Sequence, residues 1–135
     1  MQDIHEAQAC LDQNFAPWVL ALQPRVIKIG PDGATLDIPV TDDIARVGGM
    51  VCGQALAALA DTAMVFACAG TLGASTPVAT TNLETRFLRA AKGETIRCDA
   101  RILKPGRSLL FAEALLTALP EGKSVCAASA TYLVP

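Results

Sequence analysis

The sequence is poor in several things at once. His5 is the only histidine in 135 residues, and no C-x-x-C pair joins the five cysteines, Cys10, Cys52, Cys68, Cys98 and Cys126. A zinc site is therefore not expected, and no metal is assigned. An odd number of scattered thiols points away from a disulfide framework and toward a reducing compartment, the cytoplasm. Aromatic residues make up only 4% of the chain, which leaves the core to aliphatic side chains and alanine. With 18% charged and 52% hydrophobic residues the composition excludes a disordered chain. A net charge of −2 speaks against a general nucleic-acid binder. No basic stretch followed by an apolar one opens the chain, so no signal peptide is expected. Also missing are a G-x-x-x-x-G-K-[ST] phosphate loop, a G-x-G-x-x-G dinucleotide turn and a G-x-S-x-G nucleophile elbow.

What stands out instead is one long apolar run, Met50 to Gly70. Its length raises the question of a membrane span. Asp61 at its centre and its many alanines favour a buried helix of a protein with no membrane partner. Gly70 is expected to stop that helix. Ahead of it, Ile4, Ala7 and Leu11 are spaced for a short helix that Pro17 interrupts. Arg25–Ile29 and Ala34–Val40 alternate as strands around the turn Pro31-Asp32-Gly33, and Pro39 puts the second strand at an edge or marks its end. After the helix come Ala79–Leu88, Ile96–Leu103, Leu109–Ala118 and Val125–Val134. Short turns at 104–107 and 120–123 make these successive antiparallel strands. The expectation is an α+β fold, one long helix packed on an antiparallel sheet of five or six strands. It forms a single domain over 1–135, of which 1–20 is an N-terminal helix and loop.

Asp61 is the strongest chemical clue. A carboxylate flanked by Leu59, Ala60, Ala63 and Met64 needs a partner or a purpose, because burying it unpaired costs several kcal/mol. It is a general base or nucleophile in a cleft, a structural pair with an arginine such as Arg86 or Arg89, or a residue that merely faces solvent. Gly53 lies near the helix start, where free amides point outward and a carbonyl oxygen can approach. Cys52 beside it lacks a histidine partner and reads better as a packed thiol. Thr80, with Thr81 and Asn82, opens a strand, as a water-orienting group or as ordinary strand polarity. Charge is uneven: residues 1–85 hold three basic groups against nine acidic, whereas 86–107 hold seven basic against two acidic. That block is a solvated face or an attractor for a phosphorylated ligand.

The run Cys52-Gly53-Gln54 through Asp61-Thr62-Ala63 resembles the helix of hotdog-fold acyl-CoA thioesterases of the phenylacetate-degradation (4-hydroxybenzoyl-CoA thioesterase-like) type. In these a His-Gly-Gly opens the helix and a carboxylate follows in an L-A-D-T-A-like stretch. The segments 82–93 and 102–109 are similar to that family's "F-L-R-P-A-K-G" strand and "V-L-R-R-G-R-T-L" hairpin. The likeness spans residues 20–135. It implies a hotdog fold that dimerises through its sheet, often as a dimer of dimers. It also implies hydrolysis of acyl-CoA, with no cofactor beyond the CoA of the substrate. By matching, Asp61 is the base or nucleophile, the Gly53 amide polarises the carbonyl, and Thr80 orients water. Cys52 and Gln54 border the substrate, and Arg89, Lys92, Lys104 and Arg107 meet the CoA phosphates. The family histidine is Cys52 here and its second glycine is Gln54, and no amide side chain lies between Asp43 and Cys52. A non-catalytic acyl-CoA or acyl-carrier binding module is the alternative on the same fold; hotdog dehydratases use a histidine, and His5 is far from the helix in sequence. Gly53 and Asp61 are eight residues apart, about 12 Å along a helix axis. One thioester is expected to meet both only across two chains.

Overall fold

The computed structural model describes residues 3–73 and 76–135. Helix α1 (Ile4–Asn14) is capped by Asp3, whose carboxylate accepts the His5 amide at 2.9 Å. Pro17 then opens a single helical turn, α2 (Pro17–Leu20), rather than only interrupting the first, because its fixed φ suits the first helical position. Strands β1 (Arg25–Gly30) and β2 (Gly33–Pro39) follow, then the long helix α3 (Gly53–Leu72). The strands β3 (Ala79–Phe87), β4 (Thr95–Pro105), β5 (Leu109–Leu119) and β6 (Lys123–Leu133) complete the chain.

The six strands form one antiparallel sheet in the order β1-β2-β4-β5-β6-β3, wrapped around α3. This is the hotdog arrangement. The last four strands are not a simple succession. β3 pairs with β6 at the far edge, and β2 takes the place beside β4. Sequence neighbours need not pair when a helix and a seven-residue link carry the chain across the sheet. β2 is interior, so Pro39 marks the strand's end rather than an edge, its missing N–H closing the ladder opposite Thr95.

Alternate residues of each strand point at α3. Leu36, Ile38, Ile96, Leu116, Val125 and Tyr132 are fully buried against Leu59, Met64 and Phe66 of the helix. This helix is long and apolar enough to cross a membrane, but most of its surface is covered by the sheet. Its end is not Gly70. The helix continues to Leu72, and Gly73 takes the left-handed conformation (φ 72°), its N–H returning to the Ala69 carbonyl at 3.0 Å. Gly70 serves a different purpose, since it lets α3 lie directly on the Gly30 carbonyl of β1.

The two sheet edges differ. Beside β1, the Gln8 side chain imitates a neighbouring strand: its Oε1 accepts the Val26 N–H at 2.7 Å and its Nε2 donates to the Pro24 carbonyl at 3.1 Å. β3 has no such cover among the described residues, and eight of its nine residues are exposed.

Gly70→Ala should cost about 1–3 kcal/mol, because the added methyl meets backbone that cannot rotate away. Gly30→Ala, with open space around its Cβ, should stay within about 0.5 kcal/mol. Urea midpoints at unchanged slope measure both.

Candidate active site

Asp61 lies halfway along α3, where the helix leans over the start of β3. Thr80 and Tyr132 face each other across the β3–β6 ladder, and both reach the same carboxylate oxygen. Tyr132 donates to Oδ1 at 2.7 Å and lies 3.2 Å from the Asp61 carbonyl; Thr80 donates to Oδ1 at 3.0 Å. No other described group bonds the carboxylate, so Oδ2 is open. The carboxylate is half-buried, and neither Arg86 nor Arg89 pairs with it. The ion-pair explanation of this residue is thereby removed. Arg86 sits instead 3.7 Å from Glu84.

Tyr132 is fully buried, and burial first, then the neighbouring Asp61 charge, raise its phenol far above the usual tyrosine range. It therefore remains a proton donor at any working pH. Cys68, seven residues along α3, is pushed up to about 12, chiefly by burial, with Asp61 adding to the effect. Burial also raises Cys98 and Cys126. None of these three is a thiolate nucleophile at neutral pH. All five cysteines are free of disulfides.

Gly53 is the first residue of α3. Cys52, half-buried at the cap position, makes no side-chain capping bond. No described group accepts the Gly53 or Gln54 amide, so the helix begins with open donors. Beside Gly53 lies a cavity of about 440 Å³, with the Phe87 ring against the glycine. A larger cavity of about 750 Å³ lies on the outer face of the sheet, away from Asp61 and Gly53. In its walls Arg101 pairs with Glu113 and Thr35 bonds Asp99.

Within one chain Asp61 and Gly53 do not share a site. Asp61 belongs to the Thr80 end of β3 and Gly53 to the Phe87 end. The basic block also divides. Arg97 is held bidentately by Asp37 at 2.8 and 2.9 Å, and Arg101 by Glu113. Arg89, Lys92, Lys104 and Arg107 are exposed and, among the described residues, form no ion pair. Arg89 and Lys92 follow β3, whereas Lys104 and Arg107 lie at the opposite end of β4. Gln54 is exposed at the helix start. Sequence reasoning missed two residues: Tyr132, the only tyrosine of the chain, and Arg46, which lines the cavity beside Gly53. An unusual polar group on the inward register of β6 is the signal that could have found Tyr132.

The family model described as thioesterase superfamily matches residues 48–125, more than half of the chain. Zebrafish thioesterase superfamily member 2 is similar at 26% identity, over 98% of this chain and 95% of that one, with a TM-score of 0.83. A conserved protein from Pseudomonas aeruginosa is 25% identical over 90% and 96%, with a TM-score of 0.82. A thioesterase family protein from Silicibacter pomeroyi, 23% identical over 96% and 95%, has the same fold with a TM-score of 0.84. No curated protein gives a significant match.

Tyr132→Phe keeps the ring and removes one donor to a charged group. Stability should fall by about 1.5–3 kcal/mol, measured by urea unfolding, with the α3 helix content preserved by circular dichroism.

Proposed function

Because the chain belongs to the thioesterase superfamily, we propose that it hydrolyses acyl-CoA thioesters at a site shared between two copies of itself. The observation that carries this is the clamped carboxylate: two hydroxyl donors fix Asp61 Oδ1 and leave Oδ2 to act. Oδ2 takes a proton from water as that water attacks the thioester carbon. The carbonyl oxygen gathers charge, and the free Gly53 amide at the positive end of α3 receives it. The C–S bond then breaks, and the proton held by Asp61 passes to the CoA sulfur. Thr80, bonded to the same carboxylate, stands where it orients the water. Holding Asp61 on one oxygen supports a general-base role over a nucleophilic one. The phenylacetate-degradation type is the subfamily whose helix the run 52–63 resembles, and cysteines outside any disulfide suit the cytoplasm.

A second chain is invoked for physical reasons. β3 is a nine-residue edge whose outer ladder groups have no cover among the described residues, and Leu83 and Phe87 within it and Leu88 just after it are 37, 53 and 50% exposed. Such an edge invites an equivalent strand. An antiparallel two-fold pairing sets the Asp61–Thr80 end of one copy against the Gly53–Phe87 end of the other. The same operation brings Lys104 and Arg107 of one copy to the side that carries Arg89 and Lys92 of its partner, a place for the CoA phosphates. Leu109, Phe111, Leu115 and Leu133, exposed on the outer sheet face, supply a second apolar surface for a dimer of dimers.

Subunit mixing tests the whole arrangement. Asp61→Asn should lower kcat by about 10²–10⁴ on an acyl-CoA panel read as free CoA by chromatography. Gly53→Pro removes one amide at a position proline tolerates and should cost about 10²–10³. Refolded together in equal amounts, the two inactive variants should recover about one quarter of wild-type activity, since half the dimers then carry one intact site. No recovery would refute the shared site. CoA-ester binding without any wild-type turnover would instead favour a binding module.

A further inference from the structure

The register of β3 breaks at one place, beside the carboxylate. Thr80 stands opposite Tyr132 and Asn82 opposite Thr131, so Thr81 has no partner of its own on β6. On its other side β6 pairs with β5 through Tyr132 and Thr131 without interruption, which places the extra residue in β3. Two residues against one is the count of a β-bulge, and a bulge bends the strand that carries it. The bulged residue is tied down. The Thr81 hydroxyl donates to the Thr131 carbonyl at 3.1 Å, a side-chain bond that fastens the bulge to β6.

The bulge decides which threonine meets Asp61. Leu83, Thr85 and Phe87 stand opposite Ala130, Ala128 and Cys126, the buried register of β6. Counting back by twos along a regular strand puts Thr81 on that inner face and Thr80 on the outer one. With the extra residue, Thr80 instead comes inward opposite the buried Tyr132 and donates to Asp61 Oδ1 at 3.0 Å. Reach demands more than the right face. The Tyr132 phenol meets the same oxygen at 2.7 Å. A tyrosine carries its hydroxyl far from the backbone, whereas that of threonine is one bond beyond Cβ. Two such side chains, neighbours on a ladder, meet at one atom when the strand bearing the shorter one bends toward it. We propose that Thr81 is a positioning residue, whose hydroxyl holds the bulge that aims Thr80 at the Asp61 carboxylate. This rests on the hydrolytic roles proposed above for Asp61 and Thr80, through which Thr81 acts.

The test is a double-mutant cycle on Thr80 and Thr81, read as kcat and KM on an acyl-CoA panel. Thr81→Val keeps the branched shape and removes the hydroxyl. It should lower kcat on the order of tenfold and leave KM within about twofold. Thr81→Ser restores the hydroxyl and should stay within about twofold of wild type in both constants. Because Thr81 acts through Thr80, the pair Thr80→Val with Thr81→Val should lose no more than Thr80→Val alone. Full activity in Thr81→Val overturns the proposal, and so do losses that multiply in the double variant. Deletion of Thr81 reads the bulge itself, since a regular strand then still presents a threonine opposite Tyr132. Unchanged kcat in that variant overturns the proposal; a fall of about tenfold or more, with an unaltered circular-dichroism spectrum, supports it. If wild type hydrolyses nothing, the thioesterase function fails on its own account. The same cycle is then read in urea midpoints, which need no substrate. Thr80→Val should shift the midpoint in the wild-type background and much less beside Thr81→Val, and equal shifts overturn the proposal.

Discussion

A twenty-residue helix with apolar side chains around almost its whole circumference is the constraint on which the rest of this structure depends. Such a helix has no solvated face on which to rest, so a flat two-layer packing would leave half of it in water. A sheet long and twisted enough to curl around it meets the demand, and six strands of mostly nine to eleven residues provide that sheet. The inward register is filled by small and aliphatic side chains, Ala112, Ala114, Ala128 and Ala130 among them. Alanines on both surfaces let helix and sheet approach closely. Gly70 against the Gly30 carbonyl is the limit of that approach.

One carboxylate inside such a helix has to be reconciled with its surroundings. Leaving it without donors would cost several kcal/mol. Pairing it with an arginine would quench it as a base. The structure takes a third course, with neutral hydroxyl donors from two neighbouring strands, one of them a phenol kept protonated by burial and by the charge it serves. The carboxylate is thus stabilised and oriented, yet remains an acceptor on its second oxygen. Half-exposure of Asp61 and the exposed β3 edge occur on the same side of the helix, joined by the Thr80 hydroxyl.

Much of this was legible in the sequence, for reasons of range. Turn chemistry, two-residue alternation and the apolar run are local, and they gave the strand positions, the helix and its start within a residue or two. Asp61 stood out because it breaks a local rule, charge in an apolar run, whereas Gly53 was singled out by its place at a helix head, where glycines are common. Strand order was not legible. Whether β3 lies beside β4 or β6 depends on how the helix crosses the sheet, a property of the whole chain. Tyr132 escaped for the same reason: its meeting with Asp61 spans 71 residues, and only the β3–β6 register places it opposite Thr80. Gly70 misled because a glycine near a helix end signals either a cap or a close contact, and only the neighbour, Gly30, tells which.

The basic segment shows best how structure divides what sequence lumps together. Seven cations in 22 residues read as a single patch. In the fold they obey strand geometry. Arg97 and Arg101 alternate outward along β4, where register supplies Asp37 from β2 and Glu113 from β5 as cross-strand partners, so their charge is spent on holding the sheet. Arg89, Lys92 and Arg107, in the links and turns, have no neighbouring strand and form no ion pair among the described residues. A ladder neutralises a cation only where a carboxylate stands opposite it: Lys104, within β4 but facing Phe111, forms no ion pair among the described residues. Arg46, one of three cations in an otherwise acidic stretch, lines the cavity beside Gly53 together with Arg89, a proximity that charge counting along the chain passes over.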